Sequence, residues 1–415
     1  MQRHTGAIII GAGQAGLALS RSLTLRGVEH VLLERGRPGE RWHSERWPGL
    51  RLLTPDWMNR LPGMAPPKAP SGFMHATAFA ATLDAYAQRH AAPVETGCEV
   101  TSLSHDDGCF RVATSRGDWS APAAVIASGA CDQAAVPAWA TELPADIEQL
   151  ATTRYRGAEG LDPGGVLVVG ASATGVQIAA EVRASGRKTV LAVGRHVRSP
   201  RRYRGKDVFE WLELAGFLSD PRPFGVSAEK LMSLPSMQLT GSSGGRAIGL
   251  ATLAEAGIRV VGRALDAAGH SIRLGTDLPD EIIRAEARRQ TLLRVIDHHV
   301  ALAGLRAPED PGAWAPPAPI PAGPARLDLR ADGIRTVIWA TGFRRRYPWL
   351  HLPVLDARGE LITDGGVTPV PGLFALGLPY MRHRSSAFIH GVGRDADAIA
   401  ARIHAQIALP RHLAA

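Results

Sequence analysis

Two glycine-rich turns, and the residue that closes the strand after each, are the part of this sequence best suited to chemistry. Gly11-Ala12-Gly13-Gln14-Ala15-Gly16 follows the apolar run Ala7-Ile8-Ile9-Ile10, and Gly170-Ala171-Ser172-Ala173-Thr174-Gly175 follows Val166-Leu167-Val168-Val169. A buried strand that turns abruptly into a helix aims the helix's free N–H groups at one point, which suits a diphosphate. In the first turn Gly11 allows the tight bend, Gly13 lets backbone approach phosphate, and Gly16 lets helix and strand pack closely. In the second turn the small side chain of Ser172 stands where the middle glycine would be. Two such turns in one chain imply two bound dinucleotides, and the economical pairing is a flavin reduced by a nicotinamide.

The next strand of each unit carries the residue that reads the ribose. After the first turn, Val31-Leu32-Leu33 ends at Glu34, an acidic side chain roughly 20 residues beyond the glycines, where it can accept from ribose hydroxyls. A carboxylate there repels a 2′-phosphate, so the first site is expected to hold FAD or NAD and not NADP, with FAD the one that the pairing favours. After the second turn, Lys188 to Val193 ends at Gly194-Arg195-His196. Arg195 is placed to pair with a 2′-phosphate, with His196 and Arg198 expected to add positive charge, so the second site is expected to hold NADPH. The set of cofactor-facing candidates is completed by Arg35, Arg41, Trp42, Val100, Ala127, Gly129, Ala340, Thr341, Gly342, Gly377 and Gly391. Trp42, Thr54, Ser386 and His390 are the candidates for the reacting centre, each with packing or capping as its competing role.

The elements that position these residues follow from periodicity. Ala15 to Leu25 and Val176 to Val182 carry apolar residues at helical spacing. From about Glu95 to Ser120, alternation and turn signals predict a small β-meander. Ala123-Ala124-Val125-Ile126 then ends at Ala127-Ser128-Gly129, and Thr336-Val337-Ile338-Trp339 ends at Ala340-Thr341-Gly342-Phe343, one such device per domain. Residues 198 to 330 read as a large insertion that shapes the substrate pocket. It opens with Arg201-Arg202-Tyr203-Arg204, contains a long helix from Asp280 to Leu305, and closes with an extended Pro/Ala-rich linker over 307–325. A final helix is expected to start near Arg394, its N-terminus facing the flavin. The fold class is α/β: two Rossmann-like dinucleotide-binding domains, the NADPH domain inserted into the FAD domain. The expected divisions are 1–160 and 331–415 for the FAD domain and 161–330 for the NADPH domain.

Composition excludes several classes. The 415 residues are 45% hydrophobic, and no run approaches a membrane span. The first strand starts within a few residues of Met1, which leaves no room for a signal peptide and points to the cytoplasm. A net charge of +8 and a pI near 9.9 could suit nucleic acid, but the arginines are scattered and no RNA-binding aromatic motif accompanies them. A basic surface equally suits polyanionic cofactors. Cys98, Cys109 and Cys131 form no C-x-x-C pair, so a redox disulfide of the usual kind is not expected. His298 and His299 point to different faces of one helix and lack a ligand partner at metal spacing, so no metal is expected.

Taken together these segments resemble the flavin-containing monooxygenases of the two-dinucleotide-domain type, especially the bacterial branch labelled putative flavoproteins involved in potassium transport. The resemblance spans nearly the whole chain. It rests on both glycine turns, Glu40-Arg41-Trp42 with Leu52-Leu53-Thr54-Pro55, Gly194-Arg195-His196 to Arg204-Gly205, Ala340-Thr341-Gly342-Phe343, Pro371-Gly372-Leu373 and Gly391-Val392-Gly393. It implies FAD on the first turn and NADPH on the second. It implies flavin reduction by hydride transfer, then oxygenation of a small nitrogen, sulfur or ketone substrate by molecular oxygen through a flavin C4a-(hydro)peroxide. One motif departs from the family. With the last position of F-x-G-x-x-x-H-x-x-x-Y on Tyr155, Ala151 stands where the histidine belongs, and Ala145 and Ile147 where Phe and Gly belong. That departure keeps two rival readings open, an NAD(P)H oxidase or flavin reductase that oxygenates nothing, and a non-catalytic nucleotide-sensing flavoprotein. Substrate identity and oligomeric state are not legible in the sequence.

Overall fold

The computed structural model describes residues 3–221 and 235–408, so residues 222–234 of the expected insertion lie outside it. Two parallel sheets of five strands each carry the chain. The first runs in the order Leu373–Ala375, Ala123–Ile126, Ala7–Ile10, His30–Leu33 and Val94–Glu95. The second runs in the order Glu148–Ala151, Ile334–Trp339, Gly165–Val169, Thr189–Ala192 and Arg259–Val261. Their central strands are fully buried and continuously apolar, as parallel strands covered on both faces must be. Each central strand feeds a helix, Gln14–Thr24 in the first domain and Ala173–Ala184 in the second.

Each sheet is accompanied by an antiparallel meander. Val100–Asp106, Cys109–Thr114 and Trp119–Ala121 form the expected one, with Arg3–His4 on its edge. A second meander of Ala264–Ala268, Ser271–Leu274 and Arg326–Asp328 lies where the sequence shows only the insertion. Arg259–Val261 also comes from within that stretch and completes the second sheet. The insertion is therefore largely the second domain itself. The expected boundaries at 160/161 and 330/331 move outward for a related reason. Glu148–Ala151 and Ile334–Trp339 hydrogen-bond to each other and build the second sheet, so that domain spans about 148 to 340. The nesting of one domain inside the other holds, because Leu373–Ala375 returns to pair with Ala123–Ile126.

The long helix is Leu278–Leu302, and the last is Val392–Ala408. That last helix packs on the first glycine helix through Leu19, Leu23, Val392, Ala396, Ile399 and Ile403 in one buried core. Each such aliphatic side chain contributes on the order of 1.5–3 kcal/mol when fully buried. The packing fixes the start of the last helix beside the first glycine turn, where Gly377 brings backbone so near that a Cβ would lie 2.7 Å from the Ala15 Cβ.

Candidate cofactor sites and reacting centre

The two glycine turns are near copies in geometry. Gly11 has φ +107° and Gly170 φ +106°, conformations that side chains rarely adopt. A Cβ on Gly11 would lie 2.7 Å from the Ala127 carbonyl oxygen, and one on Gly170 2.4 Å from that of Ala340. Ala127 and Ala340 are thus wedges that hold each turn against the neighbouring strand. A Cβ on Gly16 would meet the Gly11 oxygen at 2.0 Å, and one on Gly175 the Gly170 oxygen at 1.8 Å. Gly13 is different, because a Cβ there would meet nothing within 4 Å. It caps its helix without any side-chain hydrogen bond, and neither glycine helix has an acidic residue in its first turn. An open cradle beside uncapped N–H groups fits a diphosphate in the first domain, while in the second the Ala173 amide donates to Ser236 Oγ at 3.4 Å.

Glu34 is buried, with Oε2 accepting from the Ala12 amide at 2.8 Å and Oε1 from the Gly36 amide at 3.0 Å. It braces the first turn and keeps a carboxylate at the ribose end of the site. Arg41 donates to Asp132 Oδ1 at 2.6 Å and to the Cys131 carbonyl, which ties the short helix Glu40–Ser44 to the strand-end loop beyond Gly129. Arg35 is exposed and lies 3.7 Å from Glu45. Val100 packs on the core of the first meander rather than on the glycine turn.

The basic cluster of the second domain needs correction. Arg195 is exposed and makes no hydrogen bond or ion pair among the described residues. His196, expected to add charge, is 2% exposed, and burial holds its imidazole below the usual histidine range, so it is neutral at pH 7. Its Nδ1 lies 3.1 Å from the Gly194 carbonyl oxygen. Arg198 pairs with Glu286 of the long helix, a carboxylate that it shares with Arg289. Of the two arginines, Arg195 alone has no side-chain partner among the described residues. Thr341 Oγ1 donates to the Ala135 carbonyl at 2.7 Å, and Gly342 has φ +93° with open space at its Cβ position.

The four candidates for the reacting centre fare differently. Trp42 packs edge-on against Phe79, ring centroids 4.7 Å apart. Thr54 Oγ1 donates to Asn59 Oδ1 at 2.6 Å, closing a local turn. Ser386 is completely buried, and its Oγ accepts from the Arg382 and His383 amides, both at 3.1 Å. Those bonds give it a turn-forming role, the capping alternative to a reacting hydroxyl. Gly391 is likewise a packing position, its Cβ site 2.0 Å from the Ser385 carbonyl oxygen. His390 keeps the chemistry of a candidate. Its Nδ1 is buried without a partner, and desolvation, with the nearby charges of His383, Arg60 and Arg394, pushes its pKa down to about 4. It stands 5.6 Å from the Trp57 ring and 6.1 Å from that of Phe388. Gln14 Nε2 donates to the Ala387 carbonyl at 3.2 Å, so the first glycine helix holds the loop that carries it.

Several residues near these sites carry no motif. Arg201 forms a buried pair with Asp207 and donates to the Leu53 carbonyl at 2.6 Å, which clamps the start of the insertion onto the Thr54 segment. Gln238 Nε2 donates to the Ala171 carbonyl at 2.8 Å from 67 residues away, and its Oε1 is buried without a partner. A cavity of about 660 Å3 opens beside it, with His196, Arg202 and Arg246 in its wall. No spacing rule could have found these contacts. Among the described residues no group of three or more metal-ligating side chains occurs, and no helix is long and apolar enough to cross a membrane.

The comparisons with known proteins agree with this geometry. The family model of pyridine nucleotide-disulphide oxidoreductases matches residues 8–212. An uncharacterized CzcO-like oxidoreductase of Geobacillus kaustophilus is 31% identical over 400 residues, covering 96% of this chain and 97% of that protein. The indole-3-pyruvate monooxygenase YUCCA8 of Oryza sativa is 27% identical over 302 residues, 65% of this chain and 71% of that protein. A solved flavin-containing monooxygenase from Stenotrophomonas maltophilia superposes with a TM-score of 0.66 at 20% identity, over 98% of this chain and 100% of that one, a likeness of fold. The three cysteines of this chain, Cys98, Cys109 and Cys131, are free and form no C-x-x-C pair.

Proposed function

The chain belongs to the CzcO-like oxidoreductases and has the fold of the flavin-containing monooxygenases, and from that premise we propose that it is an FAD-dependent, NADPH-consuming monooxygenase of a small organic molecule. The observation that carries the reading is the opposition of its two strand-end residues. A bound carboxylate, Glu34, closes the first cradle, and an unpaired guanidinium, Arg195, closes the second. When bound, the two cofactors supply hydride transfer and activation of molecular oxygen, which no side chain here can supply.

The side chains bind, orient and exclude water. Gly11, Gly13 and Gly16 admit the first diphosphate, with Gln14 and Ala15 at the helix start. Gly170, Ser172, Ala173, Thr174 and Gly175 form the second cradle. Leu53, Met58, Val208, Phe209, Leu212, Leu218, Leu239 and Phe388 form one apolar cluster against Trp57, beside His390. That dry wall excludes water from the reacting centre and favours apolar or aromatic substrates. His390 stays neutral at physiological pH, so it offers a hydrogen bond at Nδ1 and is too weak a base to take a proton there. The transferred oxygen atom goes to a nitrogen, a sulfur or a ketone carbonyl.

The test is incubation with NADPH, ¹⁸O₂ and a panel of amines, thioethers and ketones, followed by mass spectrometry. One labelled oxygen in a product is the expected result. NADPH consumption matched by hydrogen peroxide, with no labelled product, would instead establish an NAD(P)H oxidase or flavin reductase. A specific observation favours that second reading. Ala151 ends the edge strand opposite Trp339, next to the Ala340-Thr341-Gly342 turn, so the family's histidine is absent where the domains join.

A further inference from the structure

Glu181 lies in the second glycine helix, and its two carboxylate oxygens are engaged from opposite sides of the domain boundary. Trp47 Nε1 donates to Oε2 at 2.8 Å, and the Tyr155 hydroxyl donates to Oε1 at 2.9 Å. Trp47 belongs by sequence to the first domain, in the segment between Arg41 and Thr54, yet its ring is 4% exposed inside the core of the second domain. There it meets the completely buried Tyr155 edge-on, centroids 5.9 Å apart. Leu50 packs against the cores of both domains. Gly49 lets the backbone pass so close that a Cβ would lie 2.5 Å from Glu181 Oε2. Arg156 donates to the Ser44 carbonyl from the same side. Tyr155 is also the residue that ends the linker motif whose histidine is replaced by Ala151.

We propose that Glu181 is a positioning residue, a two-handed latch that sets the angle between the dinucleotide domains by holding Trp47 and Tyr155 together. It touches no reacting atom and acts through Trp47 on the segment that runs to Thr54. An anionic carboxylate accepting two neutral N–H and O–H donors is stronger and more directional than either contact made with water. Burial, the Glu181 charge and its hydrogen bond all push the Tyr155 pKa up, so the phenol keeps the proton that it donates. Hydride transfer requires two rings held at near-contact distance, and an error of about 1 Å in such an alignment costs up to about 100-fold in rate. This inference rests on the proposed use of both cofactors.

The experiment uses the full chain with bound FAD and the variants Trp47→Phe, Tyr155→Phe and Glu181→Gln, of which the last two nearly keep the volume of the side chain. Dyes placed on the exposed Gln88 and Asp280, one in each domain, report the interdomain distance by energy transfer. The expected result is one narrow distance in the parent and a broadened distribution in each variant, with flavin content and affinity for 2′,5′-ADP unchanged. Rapid-mixing reduction by saturating NADPH should slow about 10- to 100-fold, while reduction by dithionite keeps the parent rate. A merely structural role would lower flavin retention and Tm without this split. Glu181→Gln should be the mildest, since the tyrosine hydroxyl can reverse and accept from the new amide. Unchanged distances in all three variants overturn the latch, whatever NADPH does. A parent protein that binds FAD but is not reduced by NADPH overturns the functional reading instead, and the distance measurement still decides the latch.

Discussion

Replacing Arg195 by alanine separates the two cofactor sites with little risk to the fold. The side chain is exposed and forms no ion pair or hydrogen bond among the described residues, so its loss removes no interaction within the protein. Its neighbours cannot take over. His196 is buried and neutral, and Arg198 is held by Glu286. One charge-assisted hydrogen bond contributes about 1.5–3 kcal/mol, which corresponds to roughly 10- to 150-fold in affinity. Calorimetric titration with 2′,5′-ADP and with 5′-AMP isolates the effect, because the ligands differ only in the 2′-phosphate. The variant should lose that factor for 2′,5′-ADP and keep its affinity for 5′-AMP. The gap should narrow as salt rises, since the guanidinium is open to solvent. An unchanged ratio between the two ligands refutes the assignment and moves the phosphate toward Arg202 and Arg246 in the neighbouring cavity.

Other substitutions test the remaining assignments. Gly13→Ala meets no atom within 4 Å at an ordinary φ of −78°, so it should keep the Tm of the flavin-free parent while losing the yellow absorbance of bound flavin. Gly16→Ala drives a Cβ to 2.0 Å from the Gly11 oxygen, so it should lower Tm and flavin content together. The His390 pKa is depressed from 6.5 to about 4, so the unfolded chain binds the extra proton between those values. Stability is then fully present above pH 6.5 and falls toward pH 4, by up to about 3 kcal/mol; His390→Gln should flatten that part of a pH series of urea melts. Ser386→Ala should cost at least about 2 kcal/mol, because it leaves the two amides that its Oγ accepts from without that acceptor, and leave the rate of flavin reduction unchanged; a large loss of rate would make Ser386 a reacting group.

The glycine turns were legible because their requirement is local. A strand that bends at positive φ and lets a helix pack against its own carbonyl needs glycine at Gly11, Gly16, Gly170 and Gly175 whatever surrounds it. Glu34 and Arg195 were legible because strand length fixes where the next strand ends. The long helix and the first meander followed from periodicity. Arg259–Val261 is too short to announce itself, and the second meander lies in a stretch that alternates weakly, so in the sequence both read as insertion. The neutrality of His196 and the turn role of Ser386 come from burial, which spacing does not encode. The contact from Trp47 to Glu181 crosses 134 residues and follows no periodic rule.

The nested domain order explains why an orientation device is needed at all. The chain crosses between domains twice, and its two crossings pair with each other. Gln133–Ala134 and Phe343–Arg344 form a two-stranded antiparallel ribbon, and Thr341 Oγ1 adds its bond to the Ala135 carbonyl at 2.7 Å. A ribbon alone is a hinge, able to bend about its own length. Contacts away from the ribbon, Trp47 with Glu181 and Arg201 with the Leu53 carbonyl among them, restrain that bending. The ribbon and the latch should therefore be coupled although they share no atom. Thr341→Val removes one exposed hydrogen bond and alone should cost no more than about 1.5 kcal/mol. Combined with Trp47→Phe, it should slow flavin reduction by more than the product of the single effects. Independent sites add within about 0.3–0.5 kcal/mol, so a double variant inside that margin would show that the ribbon and the latch act separately.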